Sequence, residues 1–355
     1  MSSMFDPMTL GAVTLRNRIV MAPLTRSRSG EARIPNDLMV DYYRQRAGAG
    51  MILSEATSVT PMGVGYEATP GIWNDDQVAG WSKVTQAVHE RGGLIFLQLW
   101  HVGRISDPQL LGGQLPVAPS SIQPAGHVSL LRPMRDYVTP RALTTDEIPG
   151  VVEAFREGAR NARRAGFDGV EIHAANGYLI DQFLQDRSNT RTDQYGGSIE
   201  NRARFLNEIA DAVIGVWGAD RVGVHLAPRS DSHDIGDSDP RALFTHVARQ
   251  MRDRGVAFLC LRERPGPDSL MGDIRDAFGG PVIANEGLTF DSATELLAGD
   301  KADAVAFGRD FIATPDLPER FRKGLPLTDQ DPSTFYAGGA EGYVDYPTAE
   351  QVAAE

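Results

Sequence analysis

The chain has 355 residues, of which 41% are hydrophobic, which is enough to bury a sizeable core. Its 35 lysines and arginines against 47 aspartates and glutamates give a net charge of −12, which argues against a nucleic-acid or anionic-membrane surface. The sequence contains no apolar run of membrane-spanning length, Met1–Asp6 lacks a signal-peptide pattern, and the single Cys260 excludes an internal disulfide and an iron–sulfur cluster. We therefore expect a cytoplasmic monomer or homodimer that binds small molecules rather than membranes or nucleic acids.

Segments typical of strands and of helices alternate along the chain. The predicted strands are Ile19–Ala22, Met51–Ser54, Leu94–Leu99, Gly169–His173, Val222–Leu226, Ala257–Leu261, Pro281–Ala284 and Ala304–Phe307. The predicted helices are Asp37–Arg46, Asp76–Glu90, Thr145–Ala165 with Thr145 as its N-terminal cap, Ile199–Val216, Pro240–Arg254, Asp268–Phe278, Phe290–Ala298 and Asp316–Lys323. This count predicts a (β/α)₈ TIM barrel in a single domain over residues 1–355. A doubly wound parallel sheet is the alternative, although its GxGxxG fingerprint is missing after the early strands.

Three segments exceed what a minimal barrel needs. Phe5–Asn17 precedes the first strand and is expected to cap the bottom of the barrel. His101–Thr144, rich in Gly, Pro and Ser, forms a long insertion after the third strand, and Arg187–Asn201 is a polar loop. Long loops at the top of a barrel are usually functional, so both are expected near a site.

The most informative segment is Asp168–Gln182, in which a short apolar strand runs into His173, Asn176 and Tyr178. Ligands bind at the C-terminal ends of the strands in α/β proteins. A histidine and an asparagine can hold a carbonyl oxygen or an oxyanion, and a phenol can donate a proton. The pattern therefore predicts proton-transfer chemistry on a carbonyl compound.

Further polar groups follow the other strands. The sequence places Ala22-Pro23-Leu24-Thr25 after the first strand, Glu55-Ala56 after the second, Gln98-Leu99-Trp100-His101 at the third, His225 in the fifth and Gly308-Arg309 after the eighth. Gly308-Arg309 opens a helix, where backbone N–H groups and a guanidinium suit a phosphate. Together these signals describe a barrel mouth with an anion site at one edge.

With these motifs the chain resembles the old yellow enzyme family of FMN-dependent ene-reductases, over nearly its full length from Phe5 to about Thr348. The markers are MAPLTRSR at 21–28, ILSEAT at 52–57, PGIW at 70–73, QLWHVGR at 98–104, EIHAANGYL at 171–179, SNTRTDQYGGSIENR at 188–202, FGRDFIATPDL at 307–317, TFY at 334–336 and GYVDYPT at 342–348. So many motifs in the same order rarely occur together by chance.

The resemblance implies non-covalent FMN, NADPH or NADH as the reductant and an α,β-unsaturated carbonyl compound as the substrate. The implied flavin contacts are Ala22, Pro23, Thr25, Ala56, Gln98 and His225, and the implied phosphate contacts are Gly287, Gly308 and Arg309. The implied substrate pocket comprises Tyr66, Trp100, Tyr336 and the carbonyl-binding pair His173 and Asn176, with Tyr178 as the proton donor. Hydride would pass from the reduced flavin N5 to the C=C bond, with side activity on nitro compounds, nitrate esters, maleimides or quinones.

The chain departs from the family pattern at three places. His225 occupies the position at which the family usually carries an arginine beside the flavin pyrimidine, and Arg229 is the nearby candidate to replace that charge. The loop 229–234 is polar and acidic where relatives often place apolar side chains, so substrate preference cannot be copied from them. Glu286 stands where glycine is common, near the expected phosphate.

Three other functions can be weighed against the sequence. The single Cys260 argues against the larger family branch, which carries an iron–sulfur cluster. A barrel that binds flavin or another ligand with little turnover stays open because of His225. A metal hydrolase built from His101, His173 and His225 is less well supported, since no short HxH or HxxxH pair is present and we expect no metal.

Overall fold

The computed structural model of the protein describes residues 2–230 and 232–354. The strands in chain order are β1 (Met8–Leu10), β2 (Val13–Leu15), β3 (Ile19–Met21), β4 (Met51–Leu53), β5 (Thr57–Ser58), β6 (Ile95–Trp100), β7 (Val117–Ala118), β8 (Arg141–Ala142), β9 (Gly169–Ala174), β10 (Val222–Leu226), β11 (Phe258–Arg262), β12 (Val282–Asn285) and β13 (Ala304–Phe307). Parallel pairing runs β4-β3-β13-β12-β11-β10-β9-β6, and β4 also pairs with β6. The sheet therefore closes into the (β/α)₈ barrel that the sequence predicts.

Eight α-helices lie between these strands along the described chain, and three more follow β13. They are α1 (Asp37–Gln45), α2 (Asp75–Glu90), α3 (Ile148–Arg164), α4 (Leu179–Leu184), α5 (Ile199–Trp217), α6 (Pro240–Asp253), α7 (Met271–Phe278), α8 (Phe290–Ala298), α9 (Arg309–Ala313), α10 (Leu317–Lys323) and α11 (Ala349–Ala354). Among the described residues, no helix has both the length and the apolar character that crossing a membrane requires.

The predicted cap of the third long helix is wrong. Helix α3 begins at Ile148, three residues later than expected, with Glu147 at its N-cap position. Pro149 fits the first helical turn because the N–H it lacks would have no partner there. The Thr145 hydroxyl instead donates to Asp193 Oδ2 over 2.6 Å, which ties this end of the helix to the predicted polar loop.

The expected N-terminal cap is confirmed as the antiparallel hairpin β1–β2. Its turn closes the bottom of the barrel, since the Ala12 N–H donates to the carbonyl of Asp220, just before β10. Leu10 and Leu15 are fully buried and pack in one cluster with side chains of the barrel strands such as Phe96. The open end for a ligand is therefore the C-terminal mouth.

The insertion that follows β6 contributes an apolar cover near that mouth. Its buried side chains Val102, Ile105, Val128, Leu131 and Tyr137 pack in one cluster with Ala56, Tyr66 and Trp100. Burial of this many apolar side chains fixes the segment firmly, since each contributes roughly 1.5–3 kcal/mol of transfer free energy. The insertion after β6 is therefore an ordered segment that forms part of the wall near the barrel mouth.

Candidate active site

Four buried polar side chains, Gln98, Glu171, His225 and Cys260, form what we call the polar floor; each is at most 2% exposed. Strand register places Gln98 opposite Glu171 and His225 opposite Cys260. Gln98 Nε2 donates to Glu171 Oε2 over 2.7 Å, and His225 Nδ1 lies 3.3 Å from Glu171 Oε1. Glu171 Oε1 and His225 Nε2 have no hydrogen-bond partner among the described residues. Since buried polar atoms rarely stay unpaired, the polar floor fits a ligand with hydrogen-bonding groups.

The two residues expected to hold a carbonyl, His173 and Asn176, lie at the end of β9, and we call them the carbonyl clamp. His173 is buried, and its Nδ1 has no hydrogen-bond partner in the described chain. Burial lowers the pKa of His173 well below its ordinary value, and the charges of His225 and Arg262 lower it further. The imidazole is therefore neutral and has one N–H to donate.

Tyr178 follows the clamp and sits at the N-cap position of α4. Its ring meets the rings of Trp100 and His173 edge-on, at centroid distances of 5.0 Å and 5.1 Å. Its hydroxyl lies 2.9 Å from the hydroxyl of Tyr66, whose ring stacks on Trp100. Burial raises the pKa of both phenols, so each keeps its proton at neutral pH. Tyr178 is thus a fixed and protonated donor beside the clamp.

A tight turn places Tyr178 over the end of the strand. Asn176 and Gly177 both have left-handed backbones, with φ of 62° and 75°. A side chain on Gly177 would put its Cβ only 2.6 Å from the carbonyl oxygen of Ser232, so glycine is required there. The Gly177 N–H donates to the buried carboxylate of Asp181 over 2.9 Å, which secures the turn.

The loop 229–234, which follows β10, brings His233 against the turn at Asn176 and Gly177. His233 Nδ1 lies 2.7 Å from the carbonyl oxygen of Asn176, and Nε2 lies 3.5 Å from the Tyr66 hydroxyl. A carbonyl only accepts hydrogen bonds, so Nδ1 carries the hydrogen and Nε2 faces the phenol as an acceptor. Burial lowers the pKa of His233, which keeps it in this neutral form.

The expected anion edge lies on the neighbouring strands β12 and β13. Gly287 follows β12 with φ of 69°, and Gly308 is the N-cap residue of α9 without a capping side chain. Arg309 is exposed at the start of that helix. The arrangement puts two glycines at the edge of the mouth, with Arg309 next in sequence to one of them.

The remaining predicted site residues lie around the same mouth. Ala22, Pro23 and Thr25 follow β3, Ala56 follows β4, and the half-exposed Tyr336 is near enough to Tyr66 and Tyr178 to raise the pKa of both. Ala22 and Ala56 are 3% and 4% exposed, and each packs in an apolar cluster. The sequence-predicted set therefore converges on one end of the barrel.

The structure bears on two of the alternatives that the sequence left open in this region. Arg229 does not replace the missing charge beside His225, because its guanidinium pairs with Glu263 Oε1 at 2.6 Å and Asp268 Oδ2 at 2.5 Å. The three histidines of the metal hypothesis do not form one ligand cluster; among the described residues the metal-compatible group is Glu171, His225 and Cys260. His101 instead accepts a hydrogen bond at Nδ1 from the backbone N–H of Gly103.

Arg262 is a site residue that sequence reasoning missed. The sixth barrel strand was predicted to end at Leu261, but β11 runs one residue further and ends at Arg262. Its guanidinium donates to Asn176 Oδ1 over 2.7 Å and to Glu286 Oε1 over 3.0 Å. A basic residue directly after an apolar barrel strand was the signal that could have identified it.

Buried neutral histidines predict an acid-labile fold. Burial lowers the pKa of His101 to about 3, whereas the unfolded chain binds that proton below about pH 6.5. The unfolded state therefore holds more protons between these values, and stability contributed by His101 falls as the pH drops through this window. His101→Asn keeps an acceptor for Gly103 and should remove about 2 kcal/mol of the stability lost between about pH 6.5 and pH 5. Urea unfolding at both pH values checks this; equal losses in the two proteins would contradict it.

The chain is similar to known proteins over nearly its full length. A family model described as NADH:flavin oxidoreductase / NADH oxidase matches residues 3–328. Flavin oxidoreductase hxnT of Emericella nidulans is 43% identical, with 98% of each chain covered. 12-Oxophytodienoate reductase 1 of Oryza sativa subsp. japonica is 42% identical, covering 98% of this chain and 94% of the relative.

Solved structures extend the likeness to the fold. A structure of morphinone reductase in complex with tetrahydroNAD superposes with a TM-score of 0.95 at 49% identity, covering 98% of both chains. The old yellow enzyme homologue from Zymomonas mobilis gives a TM-score of 0.95 at 45% identity, covering 98% of this chain and 99% of the homologue.

Proposed function

Because the chain belongs to the NADH:flavin oxidoreductase / NADH oxidase family, which makes it an FMN-dependent NAD(P)H oxidoreductase of the old yellow enzyme type, we propose specific roles for its site residues. The enzyme reduces the C=C bond of α,β-unsaturated carbonyl compounds. His173 and Asn176 bind the carbonyl oxygen, and Tyr178 supplies the proton. The observation that carries the proposal is the protonated Tyr178 hydroxyl held beside a neutral His173 at the barrel mouth.

The polar floor and the anion edge formed by Gly287, Gly308 and Arg309 suit FMN. The flavin pyrimidine edge presents N–H and C=O groups, and the floor offers the unpaired Glu171 Oε1 and His225 Nε2 together with Gln98. Ala22, Pro23, Thr25 and Ala56 would line the ring, and Gly287, Gly308 and Arg309 would hold the phosphate. A Cβ on Gly308 would come within 3.2 Å of Leu24 Cδ2, so glycine keeps this approach open.

The residues then divide the reaction between them. When bound, FMN would supply the hydride-transfer chemistry, with NAD(P)H as the reductant. The N–H groups of His173 and Asn176 stabilise negative charge on the carbonyl oxygen, which makes the β-carbon electrophilic. Tyr178 donates its proton to the α-carbon, and its raised pKa keeps that proton in place until charge develops. Trp100, Tyr66 and Tyr336 exclude water and orient the substrate.

The substrate class is tested by identifying the product. Purified enzyme with NADPH and cyclohexenone should yield cyclohexanone, detected by gas chromatography, because the clamp activates the β-carbon. Formation of cyclohexenol would show carbonyl reduction and would contradict the proposal. A quinone or maleimide acceptor run in parallel reports the proposed side activities.

His225 gives a further expected result. An arginine is always charged and would place a full positive charge at this position of the polar floor. His225→Arg should therefore raise the flavin midpoint potential by some tens of millivolts, since roughly 30 mV corresponds to 1.4 kcal/mol for a two-electron couple. His225→Gln, which carries no charge, should not raise the potential; the same potential in His225→Arg and in the wild type would contradict a link between this position and the flavin.

We also propose that residues 1–355 form one domain and that the protein is a cytoplasmic monomer or homodimer. The closed sheet spans residues from Ile19 to Phe307, which supports one domain. The single cysteine, Cys260, is buried in the barrel, which suits a reducing compartment. Size-exclusion chromatography with light scattering would report the oligomeric state, and a fluorescent fusion would report the location.

A further inference from the structure

Arg262 contacts both Asn176, a member of the carbonyl clamp, and Glu286, a position at which this chain departs from the family pattern. Its Nη1 donates to Asn176 Oδ1 over 2.7 Å, and its Nη2 donates to Glu286 Oε1 over 3.0 Å. A guanidinium only donates hydrogen bonds, so the oxygen of the Asn176 amide must face it. The amide nitrogen of Asn176 then points away from Arg262, and it donates to no residue within 2–230 or 232–354.

The backbone at both ends of this chain of contacts is strained. Glu286 has φ of 89°, a left-handed conformation that favours glycine, and Asn176 has φ of 62°. A non-glycine residue in such a conformation costs on the order of 1 kcal/mol or more, and asparagine tolerates it better than glutamate does. The fold accepts this strain at Glu286, and its carboxylate forms an ion pair with Arg262. That carboxylate turns toward Arg262 and lies 3.7 Å from Arg264 Nε.

The positive charge of Arg262 also acts on two histidines of the site. It contributes to lowering the pKa of His173 and His233, so it lies close to the carbonyl clamp. A cation on the oxygen of an amide draws electron density from its nitrogen and makes the N–H groups stronger donors. Arg262 is thus placed both to fix the direction of the Asn176 amide and to strengthen it.

We propose that Arg262 and Glu286 are positioning residues that orient and polarise the Asn176 amide, so that its nitrogen donates to the carbonyl or enolate oxygen of the substrate. The inference rests on the proposed function of the clamp and extends it to two residues outside the clamp. The Glu286 carboxylate fixes the guanidinium of Arg262, and Arg262 donates to the oxygen of the Asn176 amide. The nitrogen of that amide then donates to the substrate oxygen. Glu286, the residue directly after β12, therefore acts on substrate binding through Arg262 and Asn176.

A simpler role for Arg262 predicts the opposite effect of one substitution. If Arg262 acted only through direct attraction of an anionic ligand, removal of the Glu286 carboxylate would leave more positive charge in the pocket and would tighten binding of a phenolate. If Glu286 positions Arg262, the same removal weakens binding. Glu286→Gly also relieves the backbone strain, so a merely structural role for Glu286 predicts no loss of binding.

The experiment measures the dissociation constant of p-chlorophenolate for the FMN-loaded enzyme from its long-wavelength charge-transfer band. Arg262→Met, which keeps an unbranched apolar stem but donates nothing, should weaken binding about tenfold, and Arg262→Lys should restore part of it. Glu286→Gly should weaken binding several-fold while its melting temperature stays equal to or above that of the wild type. Arg264→Met is the matched control, since this exposed arginine also faces Glu286, and it should change binding less than about twofold.

The outcomes distinguish the positioning role of Arg262 and Glu286 from the role of the carbonyl clamp. Unchanged dissociation constants in Arg262→Met and Glu286→Gly, with the band present, would overturn the positioning role alone. Tighter binding in Glu286→Gly would overturn it in favour of direct attraction. Absence of the band in the FMN-loaded wild-type enzyme would overturn the clamp, and the positioning role with it.

Discussion

Replacing His173 and Asn176 together by alanine is expected to slow enone reduction by about 10³-fold or more, because loss of a single oxyanion donor typically costs roughly 10²–10³ in rate. The two side chains are the carbonyl clamp at the end of β9, and His173 has an unpaired Nδ1 there. Reduction of the flavin by NADPH should suffer less, unless the nicotinamide amide uses the same two donors. Single-turnover reoxidation of the reduced enzyme by cyclohexenone measures the loss directly.

Ligand binding gives an independent check on the clamp. A phenolate resembles the enolate that the clamp stabilises, so the double variant should bind p-chlorophenolate more weakly. The His173→Ala and Asn176→Ala single variants show whether the two donors act as a unit, in which case their losses will not add. A double variant that keeps the charge-transfer band at unchanged affinity would show that the clamp is wrongly assigned.

Tyr178→Phe is expected to slow reoxidation by cyclohexenone by about 10²–10⁴-fold, the usual range for loss of a general acid. Phenylalanine preserves the edge-on packing against Trp100 and His173, so the pocket should keep its shape. Reoxidation by a quinone requires no protonation at carbon and should be nearly unchanged. Stopped-flow absorption with the two acceptors separates these outcomes.

Tyr66→Phe is the matched control for that substitution. It removes the partner of the 2.9 Å hydrogen bond but leaves the Tyr178 hydroxyl in place. We expect less than about a tenfold loss with cyclohexenone, since a neutral hydrogen bond contributes about 1 kcal/mol. Equal losses for Tyr178→Phe with both acceptors would indicate a packing defect rather than a lost proton donor.

The barrel could be predicted from sequence because its signals are local. Each parallel strand is a short apolar run followed by polar groups, and β10 and β13 have the bounds that the sequence predicts. The grouping of His173, Asn176 and Tyr178 was also visible, since they follow one strand within six residues. Strand ends that meet at one mouth then bring the other site residues together without further information.

Contacts between loops could not be predicted in the same way. The Tyr66–Tyr178 and Arg262–Asn176 pairs join positions 112 and 86 residues apart, and no local pattern encodes such pairs. The sequence offered Arg229 as the replacement for a missing charge because it is close to His225 along the chain. Its side chain instead satisfies two carboxylates, whereas Arg262 on the adjacent strand reaches the clamp.

In this account of the enzyme, one barrel mouth both accepts electrons from NAD(P)H and passes them to an enone. An anaerobic absorption titration tests it most directly. Addition of NADPH should bleach the yellow flavin band of the purified protein, and one equivalent of cyclohexenone should then restore it in full. Bleaching that cyclohexenone does not reverse would identify a flavin-binding barrel with little turnover and would contradict the account.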